Sequence, residues 1–196
     1  MAPNLSLFSV NAILILSNDG GRILAKYFKP PHTSNSTTRT PENPYPTLKD
    51  QKAFEKGLIE KTAKSTADII LYDNHVVVFK PESDVMLYVV GGMEENEMLL
   101  YHVVLALRDT LQILLKNSTD KRTIIENYDL VSLAIEEIVD DGVILETDAV
   151  AIAARVSKPP QHDVPNIKNI DLSEQGLLNA WEFGKKQLAE RLRQGL

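Results

Sequence analysis

Cysteine is absent from the 196 residues of this chain, which excludes disulfides, thiol nucleophiles and thiolate metal sites together. Long apolar runs are missing too: no stretch approaches the ~20 residues needed to span a bilayer. The opening MAPNLSLFSV has no basic stretch followed by an apolar run and a small-residue cleavage site, so it does not read as a secretory signal. Positive charge is in deficit, with 21 Lys+Arg against 27 Asp+Glu and a formal net charge of −6. The basic residues are also dispersed, and nucleic acid or anionic lipid is therefore a poor direct partner. Together these absences describe a soluble, intracellular, acidic protein. A chain of this length hides about 70% of the surface its unfolded form exposes, so it can build a core without staples.

What is present begins with ILILSNDGGRILAKYF, residues 13 to 28. Phe8, Val10, Ala12, Leu14 and Leu16 alternate along one side, while Ile13 and Ile15 make the other side apolar. That pattern predicts a strand covered on both faces. Arg22 to Phe28 reads as a second strand, joined to the first by a hairpin loop whose glycines accept positive φ. Lys29 to Pro46 holds five prolines and six serines or threonines, which cannot build a ladder or bury a face, and reads as a mobile surface loop. Thr40-Pro41 within it has the form of a proline-directed phosphorylation site, a dipeptide that is common by chance.

Thr47 and Asp50 resemble a capping box for a helix running to about Lys64, with Phe54, Leu58 and Ile59 on one face. Three short runs follow at meander spacing, Asp68–Tyr72, His75–Lys80 and Asp84–Val90. From Glu94 the period changes, and Met98, Leu99, Val103, Leu107, Leu111, Leu114 and Leu115 predict a helix of about six turns. A further helix is expected from Lys121 to Val139, with Gly142 supplying its left-handed C-terminal cap. A short extended piece then leads to a helix ending at Val156. Residues 157–170 read as a proline-rich linker, and 171–196 as an amphipathic C-terminal helix lined by Leu177, Trp181, Leu188 and Leu192. The order is β-β-α-β-β-β-α-α-α, then a tethered helix.

Catalytic chemistry finds little support. A Walker loop needs Lys and Ser or Thr after its last glycine at the mouth of a helix, whereas Gly21 is followed by the strand Arg22-Ile23-Leu24. Gly91-Gly92 does lie between a strand and a helix, yet it lacks the third glycine and the lysine, and reads as the turn that lets the long helix fold back. His32, His75, His102 and His162 are scattered without helical metal-site spacing. His102 reads as a packed or partner-facing residue. Glu136-Glu137 and Asp140-Asp141 read as a solvated acidic helix end, since paired carboxylates do acid–base work only in a cleft that separates their pKa values. No nucleophile, base and orienting group assemble, so the expectation is a non-enzyme with no cofactor and no metal. Trp181, the single tryptophan, either packs its helix back on its own domain or anchors it to another protein, as interface tryptophans do. The candidate partner-binding residues are accordingly Leu177, Trp181, Leu188 and Leu192.

Four blocks carry a family resemblance: LSLFSVNAILILSNDGGRILAKYF, DQKAFEK, YVVGGMEENEMLL and EEIVDDGVILETD. In this order they resemble the zeta-subunit family of coatomer, the non-clathrin coat of Golgi vesicles, across about residues 5 to 156. The resemblance implies an α+β, longin-type (profilin-like) domain over 1–156, close to the sigma subunits of clathrin adaptors. In it a five-stranded antiparallel sheet carries helices on both faces. It also implies a non-catalytic role, packing against the large gamma subunit in Golgi-to-ER retrograde and intra-Golgi transport. Contacts with an Arf-type GTPase and the Golgi membrane would be indirect. A longin module of another adaptor or tethering complex would share these elements and differ in the partner that co-purifies. A longin-bearing SNARE is disfavoured, since no heptad motif or membrane anchor follows the domain, and a small hydrolase remains as the enzyme alternative.

Overall fold

In the computed structural model of the chain, the residues described below are 7–29, 45–63, 65 and 67–157. Residues 30–44 of the predicted loop 29–46, most of the linker and the C-terminal segment lie outside them. The order is β1 (Val10–Ser17), β2 (Arg22–Tyr27), α1 (Leu48–Thr62), β3 (Ile69–Tyr72), β4 (His75–Glu82), β5 (Val85–Gly92), α2 (Glu97–Leu114), α3 (Lys121–Glu126), α4 (Tyr128–Ile138), β6 (Val139–Asp140), β7 (Val143–Ile144) and α5 (Ala149–Val156). β1 to β5 form one antiparallel sheet in the order β2-β1-β5-β4-β3. This is the longin-type α+β fold.

β1 is central, and its alternation sorts the core into two. Ile13 and Ile15 join Val76, Val78, Leu87 and Val89 beneath α2, α4 and α5. Ala12, Leu14 and Leu16 join Val77, Phe79, Tyr88 and Val90 beneath Phe54 and Leu58 of α1. Both sets are nearly or wholly inaccessible to water, as expected for a strand buried on both faces. Val10 departs from the expected alternation. The pairing of β1 with β5 slips between Val10 and Ala12, a bulge that turns Val10 to the α2 side.

The capping box forms as expected: the Asp50 amide donates to Thr47 Oγ1 at 3.2 Å, and the Thr47 amide to Asp50 Oδ2 at 3.3 Å. α2 is shorter than predicted, 18 residues or five turns. The Asn96 side chain caps it by accepting from Met98 and Leu99. At its far end Lys116 and Asn117 take positive φ of 53° and 65°, and the Asn117 amide reaches back to the Gln112 carbonyl at 2.8 Å, closing a Schellman turn without glycine.

Two further expectations are corrected around α4. The single helix from Lys121 to Val139 is two, broken at Asn127, whose Nδ2 donates to the Thr123 carbonyl at 2.9 Å. Such local side-chain bonding competes with helix continuation. Gly142 does not cap a helix either. α4 ends at Ile138 with Val139 already extended. Asp141 and Gly142, at φ 44° and 82°, form the two-residue turn of the β6–β7 hairpin, the use to which Asp-Gly is best suited. Phe8 bridges to Val143 beside it.

Candidate docking surfaces

The glycine pairs serve structure. Gly20 has φ 92° and turns the β1–β2 hairpin, while Gly21 keeps an ordinary negative φ. The Gly21 amide donates to Asp19 Oδ1 at 3.0 Å, and Asp19 Oδ2 accepts from Lys121 Nζ at 3.0 Å. The loop thus cradles its own carboxylate where a phosphate would need room. These donors pull the Asp19 pKa from its ordinary 3.8 to about 2, the Gly21 amide first and then the Lys121 and Ser17 side chains. Gly91 lies within β5, not in the turn expected of it, opposite Val10 and Val76. A Cβ there would meet Leu100 Cδ1 at 2.5 Å and the Ser9 carbonyl at 3.0 Å, so this glycine permits close packing of α2.

Of the four acidic residues expected at this helix end, Glu136, Asp140 and Asp141 are exposed, and the two glutamates form ion pairs. Glu136 pairs with Lys26 of β2, and Glu137 with Arg155 of α5 at 3.5 Å. His75 is buried, with Nδ1 on the Asp73 carbonyl at 2.7 Å, and His102 is exposed on α2. His32 and His162 lie outside the described residues. Among the described residues no group of three His, Cys, Asp or Glu is placed to hold a metal. A buried ionic knot fastens α1 to the sheet. Glu55, 5% exposed, faces Arg22 of β2 at 2.6 Å and accepts the Tyr27 hydroxyl at 2.9 Å. Burial, and then the neighbouring carboxylate, push the Tyr27 pKa far above the usual phenol range.

The two outer surfaces of the sandwich differ in chemistry. α1 turns Lys49, Lys52 and Lys56 to solvent, spaced three and four residues apart and so aligned on one face. Across the sheet, the helical layer exposes apolar side chains at intervals: Met98 and Ile113 on α2, Ile125 on α3, Tyr128 and Leu133 on α4. On α2, Met98, His102, Leu105, Asp109 and Ile113 follow one stripe, opposite the buried Leu100, Val103, Leu107 and Leu111. Sequence reading missed this stripe because the buried face dominates the same periodicity. Leu177, Trp181, Leu188 and Leu192, the residues singled out from sequence, all lie outside the described residues.

Residues 9–162 match the clathrin adaptor complex small chain family. Among individual proteins, coatomer subunit zeta of Saccharomyces cerevisiae is 45% identical over 193 residues, covering 98% of this chain and 99% of its own length. The chain belongs to this family. Coatomer subunit zeta-1 of Homo sapiens is 38% identical over 183 residues, 93% of this chain and 92% of that one. Zeta-1 of Oryza sativa is 37% identical over 188 residues, 94% of this chain and 96% of that one. In structure, a chain from a homology model of the full-length AP-3 complex in a stretched open conformation superposes with a TM-score of 0.54. At 17% identity it covers 75% of this chain and 90% of its own, a likeness that establishes the shared fold. The blocks quoted from the sequence thus fall in the family they resemble. No helix among the described residues is long and apolar enough to cross a membrane.

Proposed function

We propose that this chain is the small, non-catalytic subunit of a coatomer vesicle coat. It packs against the coat's large gamma subunit and acts in Golgi-to-ER retrograde and intra-Golgi transport. The observation that carries this reading is the 45% identity to a coatomer zeta subunit over nearly the whole of both chains. In this reading the chain is cytoplasmic and is recruited to the cytosolic face of Golgi membranes through the rest of the coat heptamer. Its relations with an Arf-type GTPase and with lipid are indirect. The helical layer, with Met98, Ile113, Ile125, Tyr128 and Leu133 exposed, is the described surface best suited to the large subunit, since single exposed apolar side chains are ordinary but a recurring set favours a partner. The lysine face of α1 offers no comparable apolar contact. Leu177, Trp181, Leu188 and Leu192 extend that interface from the C-terminal segment. Affinity purification of the tagged chain, with mass spectrometry of everything retained, tests the reading. Recovery of the coatomer subunits in stoichiometric amounts supports it, and recovery of a different adaptor or tethering complex replaces it with the alternative longin role.

A further inference from the structure

We infer that the lysine face of α1 rests on an anionic lipid bilayer once the coat has brought the chain to a membrane. Lys49, Lys52 and Lys56 are exposed, and none of them forms an ion pair with another described residue. Elsewhere the fold uses its cations: Arg22, Lys26, Lys80, Lys121 and Arg155 are each held by a carboxylate distant in sequence. Of the other unpaired lysines among the described residues, Lys61 lies 5.9 Å over the Tyr72 ring, and Lys29 and Lys116 lie in loops. The placement also opposes the helix's own preference. Lys49 and Lys52 fall in the first two turns of α1, where the partial positive charge of the helix end disfavours cations. That end is already served by Asp50, whose carboxylate accepts from Thr47. Residues set against a local rule with no gain to the fold point to a contact outside the chain.

A net charge of −6 argues against an anionic partner only where charge is spread evenly, and here it is not. On α1, Glu55 is buried against Arg22, which leaves Glu60 as the exposed acid of the helix. Glu126, Asp129 and Glu136 are exposed on the helical layer, on the far side of the sheet. At 0.1 M salt the screening length is about 10 Å. A bilayer against α1 therefore feels the lysines it touches and little of the acids two layers away. Leu48, 57% exposed, lies one turn from Lys52 and adds an apolar contact of the kind that interfacial helices bury.

The large subunit takes the helical layer in the function proposed above, which leaves α1 free on the opposite face; this part of the inference rests on that reading. Each lysine at an anionic surface is worth about fivefold in affinity. Three give about a hundredfold, too little to recruit the chain alone, since stable attachment takes a second signal. Recruitment therefore stays with the rest of the coat, and the lysine face adds a foothold.

The test floats the full-length chain with phosphatidylcholine vesicles, with and without about a third phosphatidylserine, at about 0.1 M salt. Binding should favour the anionic vesicles about a hundredfold, and the triple variant Lys49→Gln, Lys52→Gln, Lys56→Gln should lose that preference. The triple Lys→Arg variant, which keeps the charge, should bind as wild type does, and Lys116→Gln should change nothing. Equal binding to both vesicles overturns the inference. So does wild-type binding by the triple Gln variant, or loss of binding in Lys116→Gln. Retention of polyglutamate through the same lysines without vesicle binding also overturns it, because the partner would then be an acidic protein. Repeating the flotation with the gamma-subunit complex separates the two readings. A complex that floats equally with wild-type and triple Gln chains overturns this inference alone. Lysine-dependent flotation by a chain that forms no such complex overturns only the function proposed above.

Discussion

Removing the Glu55 carboxylate is expected to be among the most damaging single changes outside the apolar core. Glu55 takes both a guanidinium contact from Arg22, at 2.6 Å and 3.0 Å, and the Tyr27 hydroxyl at 2.9 Å. Breaking a buried pair by deleting one partner costs roughly 3–5 kcal/mol, because the remaining charge stays desolvated. The Arg22 side chain is 24% exposed, so water recovers part of that cost. The Tyr27 hydroxyl also loses its acceptor, at about 1 kcal/mol. Glu55→Ala is therefore expected to lose about 3 kcal/mol, and Glu55→Gln, which keeps the volume and one acceptor, about half as much. Urea unfolding followed by circular dichroism gives the difference, provided the slope with denaturant is unchanged. The cycle with Arg22→Ala should show coupling above about 1 kcal/mol. A loss below about 0.5 kcal/mol, the range of ordinary surface changes, or additive effects of the two substitutions, would refute the view that this knot holds α1 on the sheet.

Gly91→Ala forces a Cβ against Leu100 and the Ser9 carbonyl and should cost on the order of 2 kcal/mol by overpacking, read as a lower urea midpoint. Asp19 gives a pH signature. Folding lowers its pKa to about 2, so its contribution is present above its ordinary value and is lost as pH falls through about 2. Asp19→Asn should accordingly melt lower than wild type at neutral pH, with the gap closing in acid; a gap independent of pH would contradict this. Trp181→Ala should weaken assembly with the large subunit by on the order of 2 kcal/mol, as loss of a buried interface tryptophan does, with a smaller effect on melting of the free chain. The reverse order would assign Trp181 to the chain's own core.

β1 shows why much of this fold is legible: Ile13 and Ile15 on one side and Leu14 and Leu16 on the other require cover on both faces, and the sandwich supplies it. Thr47 and Asp50 announced the start of α1 because a capping box is a local device. What escaped was set by nonlocal pairing or by a choice between two local uses. The bulge before Ala12 depends on β5, across the sheet. The break at Asn127 leaves the buried spacing of Ile124, Val131 and Ile135 compatible with one helix, so periodicity alone does not reveal it. Asp141-Gly142 can end a helix or turn a hairpin, and the extended Val139 decides for the hairpin. The lysines of α1 are scattered in the sequence but align once the helix forms.

The central claim, that this chain is the small subunit paired with a coatomer gamma subunit, is tested most directly by co-expression of the two. Native mass spectrometry of the purified product should show a one-to-one complex. Exchange of amides on the outward faces of α2 and α4 should slow on assembly. A well-behaved free chain that forms no complex with the gamma subunit, yet binds the large subunit of another adaptor under the same conditions, would contradict it.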